Sequence, residues 1–141
     1  MTDALTTANA KAGREPGVIP YIVIERAEEA CAFYEKALGA TDIQKMPAED
    51  GKRLIHAQLN INGGSIMLND PFPENGHPAH PLDGLIMQLL VADAYAWFDR
   101  AVAAGCEPVM PVQIMFWGDH WGVVKDPFGV QWAFNQDGQP A

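Results

Sequence analysis

The chain has 141 residues, of which 48% are hydrophobic and 19% charged, and its formal net charge at pH 7 is −9. This length suits one well-packed domain and is too short for two independent ones. The acidic charge argues against nucleic acid and anionic membranes as partners, because both bind basic surfaces. No apolar run approaches the roughly 18–20 residues that span a bilayer. Residues 1–17 have no signal-peptide core, so we expect a cytoplasmic protein with a flexible leader at 1–17.

The first half of the chain predicts a strand, a helix and three more strands. Apolar residues recur at a helical spacing in the predicted helix. The third strand alternates, which places Ile55 on the same face as Ala57 and His56 on the same face as Gln58. In chain order the elements are a strand at 18–24, a helix at 27–38 and strands at 41–45, 54–61 and 65–69.

A proline-rich segment at 71–83 separates this first half from a second one with the same order of elements. It holds four prolines, a density that excludes a helix or a central strand. Asp93 is placed to cap the second helix, and Asp-Pro-Phe-Gly at 126–129 fits a type I turn. The elements of the second half are a strand at 85–91, a helix that ends at 104 and strands at 107–112, 120–125 and 130–135.

The two halves repeat each other at a near-constant period. Matching residues lie 64 to 67 positions apart, as in Phe33 and Trp97 or Gly17 and Gly84. Such a period indicates two copies of one supersecondary unit. We therefore predict an α+β fold of two tandem βαβββ modules. Module one spans 18–70 and module two spans 84–136, with the linker 71–83 between them and a tail at 137–141.

Short motifs connect this architecture to a known superfamily. Phe-Tyr-x-x-x-Leu-Gly closes the first helix at 33–39, and Asp-Pro-x-Gly stands before the last strand at 126–129. With two βαβββ modules in tandem, the chain resembles the vicinal oxygen chelate superfamily of glyoxalase I, extradiol dioxygenases, and fosfomycin and bleomycin resistance proteins. Ala-x-x-Phe-Tyr at 30–34, His-Ala at 56–57 and Phe-Trp-Gly-Asp-x-x-Gly at 116–122 look most like its PhnB-like branch. The resemblance implies paired half-barrels around a pocket, and a homodimer.

The resemblance also points to four metal-ligand positions, on the first and last strands of each module. In this chain they are Ile19, Met67, Ile86 and Ala133, and the adjacent positions bring no His, Glu, Asp or Gln. A divalent ion needs oxygen or imidazole donors, which these side chains lack. We therefore expect no metal and no other cofactor, and we do not transfer glyoxalase I chemistry from the family.

If those positions face the cavity, strand alternation places several polar and aromatic side chains on the same side. The expected ligand pocket consists of Tyr21, His56, Gln58, Met67, Gln88, Trp117, His120 and Gln131. His56 is the candidate catalytic residue, because an imidazole on a pocket wall can act as a general base near neutral pH. Both histidines have a structural alternative: His56 as a hydrogen-bonded residue between strands, and His120 as the cap of a turn.

For the remaining histidines and for both cysteines, the sequence favours structural roles. His77 and His80 form His-x-x-His, but the prolines beside them exclude the helix that would place both on one face. Cys31 and Cys106 have apolar neighbours, which indicates buried thiols rather than nucleophiles.

Three functions stay open at this point. The first is a metal-free module that binds and sequesters a small aromatic or hydrophobic molecule, as bleomycin resistance proteins do. The second is a glyoxalase-related lyase or isomerase, with His56 as base or with a non-standard metal held by His56 and His120. The third is a PhnB-like subunit or regulator whose pocket is vestigial. We expect the first, and whether the protein is an enzyme stays open.

Overall fold

The computed structural model describes residues 14–138, and the packing of the chain divides it into two units. Unit 1 holds the described residues up to Cys31 together with Ala40–Ala79. Unit 2 holds Ala32–Gly39 and the described residues from His80 onward. The first helix therefore begins in unit 1 and ends in unit 2, whereas each sheet lies within one unit.

Both halves have the predicted order of one strand, one helix and three strands. In the first half these are β1 (Tyr21–Val23), α1 (Ala27–Leu38), β2 (Thr41–Pro47), β3 (Leu54–Ile61) and β4 (Gly64–Asn69). In the second they are β5 (Ile86–Leu90), α2 (Ala94–Ala104), β6 (Glu107–Ile114), β7 (His120–Lys125) and β8 (Gln131–Gln136). The α+β fold class is confirmed. Among the described residues, no helix is long and apolar enough to cross a membrane.

The two sheets share one strand order. It is β1-β4-β3-β2 in the first sheet and β5-β8-β7-β6 in the second. In each sheet the first strand pairs in parallel with the last, and the other pairs are antiparallel. Tyr21 lies opposite Met67, which lies opposite Gln58, while in the second sheet Gln88 lies opposite Ala133. The repeat in the sequence is thus a repeat of topology.

The alternation predicted for β3 is wrong at its first residues. Pro47 pairs with Leu54 and Met46 pairs with His56, so a β-bulge leaves Ile55 without an opposite residue. Leu54 is 3% exposed, whereas Ile55 is 46% exposed. Because side chains alternate with a period of two, a one-residue irregularity moves the side chains on one side of it to the opposite face of the sheet. Ile55 therefore does not share the buried side of Ala57, with which the sequence pattern grouped it.

Equivalent side chains at the end of each half hold the start of its helix. In unit 1, Asp70 Oδ1 accepts a hydrogen bond from the Ala27 N–H at 3.1 Å. In unit 2, Gln136 Oε1 accepts one from the Ala94 N–H at 3.0 Å. The predicted N-cap of α2 is also confirmed, since the Asp93 side chain accepts a hydrogen bond from a first-turn N–H. These contacts fix each helix against the last strand of its half.

A buried carboxylate organises unit 2. Asp126 is 4% exposed and begins the predicted turn, in which the Gly129 N–H donates to the Asp126 carbonyl at 3.2 Å. Its Oδ2 accepts hydrogen bonds from the Tyr34 hydroxyl at 2.6 Å and from Trp132 Nε1 at 2.9 Å. Its Oδ1 accepts two backbone N–H groups, each at 2.9 Å. The Phe-Tyr and Asp-Pro motifs of the family resemblance thus meet in one hydrogen-bonded cluster.

Candidate functional site

Two residues of the expected pocket meet across the first sheet. The Tyr21 hydroxyl lies 3.0 Å from His56 Nδ1, and the ring centroids are 5.6 Å apart. Both side chains lie on the face of the sheet that carries Met67, which is opposite Tyr21 in the register. If Nδ1 accepts the tyrosine proton, Nε2 of the neutral imidazole is a donor; if Nδ1 donates, Nε2 is an acceptor. Nε2 is thus the nitrogen that remains for a ligand.

A neighbouring part of this face is covered by the chain itself. Arg14 Nε donates to Gln58 Oε1 at 2.9 Å, and the Glu15 N–H donates to Ser65 Oγ at 2.7 Å. Gln58, expected in the pocket wall, is only 2% exposed. The end of the expected leader at 1–17 therefore lies on the sheet, and the part of the leader before residue 14 is outside the described residues.

A cleft of about 580 Å³ opens in unit 1 beside the Tyr21–His56 pair. Its walls come from β1, β3, the end of β4, the turn that follows β2 and the segment that follows β4. The side chains that define it are Tyr21, Arg53, Ile55, Asn69, Phe72 and His77. Tyr21 is the one member of the expected pocket in this lining, as far as residues 14–138 show.

The proline-rich segment forms a wall of the cleft and is more than a connection. Phe72 and His77 exchange two backbone hydrogen bonds, at 2.6 and 3.0 Å, around a 3-10 turn at Pro73–Asn75. The guanidinium carbon of Arg53 lies 4.2 Å from the centre of the Phe72 ring, a cation–π contact. His77, expected to be a plain linker histidine, therefore faces the same cleft as Phe72.

Arg53 joins the turn after β2 to this segment. Its Nε donates to Asp50 Oδ2 at 2.7 Å, and its Nη1 and Nη2 donate to the two carboxylate oxygens of Glu74 at 3.1 and 2.6 Å. Nη1 also reaches the Pro71 carbonyl at 3.3 Å. Backbone N–H groups of Arg53 and Lys52 lower the pKa of Asp50, and the guanidinium lowers the pKa of Glu74. Both carboxylates are therefore ionised at neutral pH.

Two buried amide atoms of unit 1 have no hydrogen-bond partner among the described residues. They are Gln58 Nε2 and Asn69 Oδ1. A buried polar atom without a partner costs about 1–3 kcal/mol in unfolding free energy. Asn69 is the last residue of β4 and lines the cleft. Its Oδ1 has almost no accessible surface, so a molecule in the cleft meets other atoms of this side chain.

In unit 2 the expected pocket residues form separate groups. Trp121 Nε1 donates to Gln88 Oε1 at 3.1 Å, and the Trp121 ring lies 6.2 Å from that of Trp117. His120 Nδ1 instead lies 2.8 Å from the hydroxyl of Tyr95 on α2. Adjacent residues of a strand point to opposite faces, so His120 and Trp121 face opposite sides of β7. Gln88 and Trp117 thus each contact Trp121, whereas His120 lies against the helix.

Gln131 belongs to neither of these groups. It begins β8 opposite Ile86 and lines a shallow recess of about 310 Å³ together with Lys125. No hydrogen bond joins Gln131 to Gln88 or Trp117 in the part of the chain that the structure describes. The eight residues of the expected pocket are therefore not one cluster within either unit.

The four positions assigned to metal ligands by the resemblance do not fit a divalent ion. Ile19 precedes β1, while Met67, Ile86 and Ala133 lie on β4, β5 and β8. Three of these side chains are hydrocarbons, and the methionine thioether is too soft a donor for hard cations. Between residues 14 and 138, no three His, Cys, Asp or Glu side chains are grouped so that they could hold a metal. His77 and His80 are therefore part of no such group.

Both cysteines are buried free thiols. Burial raises the pKa of Cys31 to about 11 and that of Cys106 to about 12. The thiolate is the nucleophilic form, and these pKa values keep both residues protonated at neutral pH. Neither cysteine is a candidate nucleophile, as the sequence indicated.

Sequence reasoning missed three residues of the cleft: Arg53, Ile55 and Phe72. A single arginine after a polar turn forms no specific motif. Ile55 was assigned to the same face as Ala57 because the alternation of β3 hid the bulge, and Phe72 lies in a segment that its prolines marked as a linker. The available signal was an aromatic residue within that proline-rich segment, which an inert linker does not need.

Known proteins are similar to this chain in sequence and fold. A model of the Glyoxalase/Bleomycin resistance protein/Dioxygenase superfamily matches residues 18–134. The chain is 42% identical over 128 residues to the uncharacterized protein Rv0887c of Mycobacterium tuberculosis, across 86% of this chain and 75% of that one. It is 29% identical over 136 residues to protein YjdN of Escherichia coli, across 82% of this chain and 92% of that one. The crystal structure of protein PA1353 from Pseudomonas aeruginosa is 28% identical and has a TM-score of 0.68, across 85% of this chain and 96% of that one.

The matched range covers the first βαβββ module, the linker and the second module as far as the middle of β8. It includes the Phe-Tyr and Asp-Pro motifs that meet at Asp126. Topology, motifs and matched range agree, and from them it follows that the chain belongs to the glyoxalase/bleomycin resistance protein/dioxygenase superfamily, the vicinal oxygen chelate group.

Proposed function

We propose that this protein is a PhnB-like member of its superfamily that binds and sequesters a small molecule without a metal. The cleft of unit 1 carries the proposal. Its volume of about 580 Å³ lies within the range of about 300–1,000 Å³ that is usual for small-molecule sites. Its lining combines the apolar and aromatic surface of Tyr21, Ile55 and Phe72 with polar side chains such as Asn69.

The chemistry of the usual metal positions supports the metal-free part of this proposal. Ile19, Met67, Ile86 and Ala133 offer no oxygen or imidazole donor. Substrate activation through a divalent ion at these positions is therefore not part of the proposed function. In this proposal the small molecule is bound through the shape, the apolar surface and the hydrogen-bonding groups of the cleft.

A glyoxalase-related lyase or isomerase is the second candidate, and the Tyr21–His56 contact favours it. If Nδ1 of His56 donates to the Tyr21 oxygen, Nε2 is an acceptor and could remove a proton from a substrate. Enzymes position a histidine base through a hydrogen bond to its other nitrogen in this way. A non-standard metal on His56 and His120 has less support, because a catalytic zinc site usually has three protein ligands and neither histidine belongs to a group of three potential ligands between residues 14 and 138.

Metal analysis combined with a glyoxalase assay separates the two candidates. The purified protein is analysed for bound metals and assayed with the hemithioacetal of methylglyoxal and glutathione, before and after chelation. We expect no stoichiometric metal and no turnover. Stoichiometric zinc, nickel or iron that is lost in His56→Ala but kept in His80→Ala would overturn the metal-free proposal.

A ligand screen tests the binding function itself. We expect small aromatic molecules to raise the melting temperature of the protein and to shift NMR resonances of the cleft. A vestigial pocket, the third candidate function, would give no such response with any compound. Ile55→Asp is a suitable variant for testing whether the ligand lies in the cleft, because it places a charge on an exposed wall of the cleft rather than in the core.

The cytoplasmic location and the homodimer are further proposals. Two buried free thiols suit a reducing compartment. The dimer rests on the family resemblance, and sedimentation of the purified protein tests it: a monomer at micromolar concentration would contradict it.

A further inference from the structure

Residues 14–15, here called the strap, are attached to one face of the first sheet. Arg14 Nε donates a hydrogen bond to Gln58 Oε1 at 2.9 Å. The Glu15 N–H donates one to Ser65 Oγ at 2.7 Å. Gln58 lies on β3 and Ser65 on β4, so the strap contacts two neighbouring strands of the sheet.

The acceptors under the strap are held in place by their neighbours. The Ser65 hydroxyl donates its proton to Asn60 Oδ1 at 2.6 Å, and Asn60 Nδ2 donates to Asp42 Oδ2 at 3.2 Å. Because this proton is directed to Asn60, the Ser65 oxygen is left as an acceptor for the strap. Gln58, Asn60 and Ser65 therefore form a polar subsite that receives N–H donors.

The strap is held weakly. Within the part of the chain that the structure describes, residues 14–19 make no backbone-to-backbone hydrogen bond with a strand. Val18 is 98% exposed, and an added Cβ at Gly17 would meet no atom within 4 Å. Each hydrogen bond to the subsite contributes a net factor of about two to ten to the ratio of closed to open strap. Ordering of the segment offsets part of this factor, so the open form stays populated.

The closed strap also leaves one polar atom of the subsite unsatisfied. Gln58 is 2% exposed, and its Nε2 is buried without a partner among residues 14–138. Arg14 contacts the other polar atom of the same amide. When the strap leaves, this amide is uncovered on that side and can pair with water or with a ligand. A buried donor without a partner favours such an arrangement over the closed one.

The polar subsite and the cleft of unit 1 lie on the same face of the sheet. Along β4, Ser65 belongs to the subsite and Asn69 to the cleft, with Met67 between them on the same face. Four residues of a strand span about 13 Å. Met67 lies opposite both Gln58 and Tyr21, which connects the subsite to the cleft across the strands. The strap therefore closes one end of a continuous surface.

We propose that the strap is an internal occupant of the polar subsite, and that a ligand reaches Gln58 and Ser65 only when the strap opens. The guanidinium and the backbone N–H of the strap indicate the chemistry that the subsite accepts, which is a pair of N–H donors such as those of a primary amide. The competition with a ligand rests on the proposed binding function, whereas the opening of the strap does not.

Cleavage of the bond between Arg14 and Glu15 measures the opening of the strap without a ligand. An arginine-specific protease acts on the full-length protein and on a synthetic peptide of residues 12–20, and mass spectrometry follows the product of this bond. When opening and closing are fast, the cleavage rate follows the population of the open form. We expect cleavage at least about tenfold slower in the protein than in the peptide. Equal rates would overturn the proposal.

Variants of the two acceptors test what holds the strap. Ser65→Ala removes the acceptor of the Glu15 N–H. Gln58→Leu removes the acceptor of Arg14 and keeps the size of the side chain. Each should raise the cleavage rate about threefold, so the test stands even if one variant folds poorly. Gln113→Leu, at an exposed position of unit 2, is the control and should leave the rate unchanged. Parent rates in both acceptor variants would overturn the proposal.

Benzamide tests the competition between a ligand and the strap. Its amide carries two N–H donors, and benzoate, which has only acceptors, is the matched control compound. Each is titrated into the full-length parent and into Arg14→Leu and followed by two-dimensional ¹H–¹⁵N NMR. We expect benzamide, which is neutral, to bind about threefold more tightly to Arg14→Leu, because the open form is more populated there. The Gln58 side-chain amide should shift, and benzoate should bind no more tightly to the variant than to the parent.

The outcomes distinguish this inference from the function on which it partly rests. Equal dissociation constants of benzamide for the parent and for Arg14→Leu would overturn the competition. Benzamide shifts confined to the cleft in both proteins would do the same and leave the binding function standing. No benzamide shift on this face of the sheet would overturn the subsite, whereas the ligand screen tests the binding function separately.

Discussion

The two units repeat one topology and differ in what covers the faces of their sheets. In unit 1, Arg14 covers Gln58, and the segment after β4 closes a cleft beside Tyr21. In unit 2 the outer strand β5 leaves Leu90 64% exposed, and the Gln88 side chain accepts a hydrogen bond from Trp121 at the surface. The two units share the order and connectivity of their strands. The candidate site combines strands of the first module with a wall from the linker, which lies outside the repeat.

The largest expected effect concerns the buried carboxylates of the two units. Asp126→Ala removes the acceptor for the Tyr34 hydroxyl, Trp132 Nε1 and two backbone N–H groups. We expect it to lower the unfolding free energy by about 3–5 kcal/mol. Asp70→Ala removes the acceptor for only two backbone N–H groups, so we expect about 2 kcal/mol.

Urea unfolding followed by fluorescence measures both losses. Asp99→Ala, an exposed position of α2, is the control and should stay within about 0.5 kcal/mol of the parent protein. Equal losses of unfolding free energy in Asp126→Ala and Asp70→Ala would show that the two buried carboxylates stabilise their units equally.

Arg53→Met tests the wall of the unit 1 cleft that the linker forms and that Arg53 holds through Glu74. Without the guanidinium, the pKa of Glu74 should rise to the ordinary carboxyl range, while the pKa of Asp50 should rise less because its backbone donors remain. A carboxylate with a lowered pKa in the folded state stabilises the protein above the ordinary value of about 4. This stabilisation is lost as the pH falls through the lowered pKa. The parent and the variant should therefore differ in melting temperature at pH 7 and converge in acid.

Carbon-detected NMR titration of the carboxyl groups checks these pKa changes, with Lys52→Met as the matched control. If the Glu74 pKa were the same in the parent and in Arg53→Met, the linker would not be held as the structure shows it.

A smaller effect is expected from Arg14→Ala, which makes the sheet face of unit 1 more like that of unit 2. Loss of the contact to Gln58 Oε1 should cost about 1 kcal/mol or less and shift the Gln58 side-chain amide resonance. Glu25→Ala, at another exposed position of unit 1, should leave that resonance in place. An unmoved Gln58 resonance in Arg14→Ala would contradict the contact.

The smallest effect is expected on the open face of unit 2. Leu90→Ser should change the unfolding free energy by no more than about 0.5 kcal/mol, because the side chain is already exposed. Leu89→Ser, at the buried neighbouring position, should cost more than about 2 kcal/mol. A large loss for Leu90→Ser, or a change in sedimentation, would show that another surface covers this face in solution.

The sequence predicted the fold well because the repeat is carried by many local signals. Helical spacing before Gly39 and Gly105, and the Asp126 turn, each identify an element without knowledge of distant contacts. The role of Asp126 as a buried acceptor was not predictable in the same way. Its partner Tyr34 lies 92 positions away in the chain, and only the folded structure brings them together.

The candidate site was predicted less well, for the same physical reason. Tyr21 and His56 were correctly placed on one face, since strand alternation determines it. The cleft depends on a bulge at Ile55 and on contacts of Arg53 with Glu74, 21 positions apart. Neither leaves a pattern in the sequence, because a bulge needs no particular residue and a salt bridge uses common ones.

Titration of chelator-treated protein with a small aromatic compound from the ligand screen, followed by ¹H–¹⁵N NMR, tests most directly that unit 1 holds a small molecule without a metal. We expect saturable shifts centred on Asn69, Ile55 and Tyr21, with the same dissociation constant before and after chelation. Shifts centred on Gln88 and Trp121, or binding that returns only when zinc or nickel is added, would contradict this account.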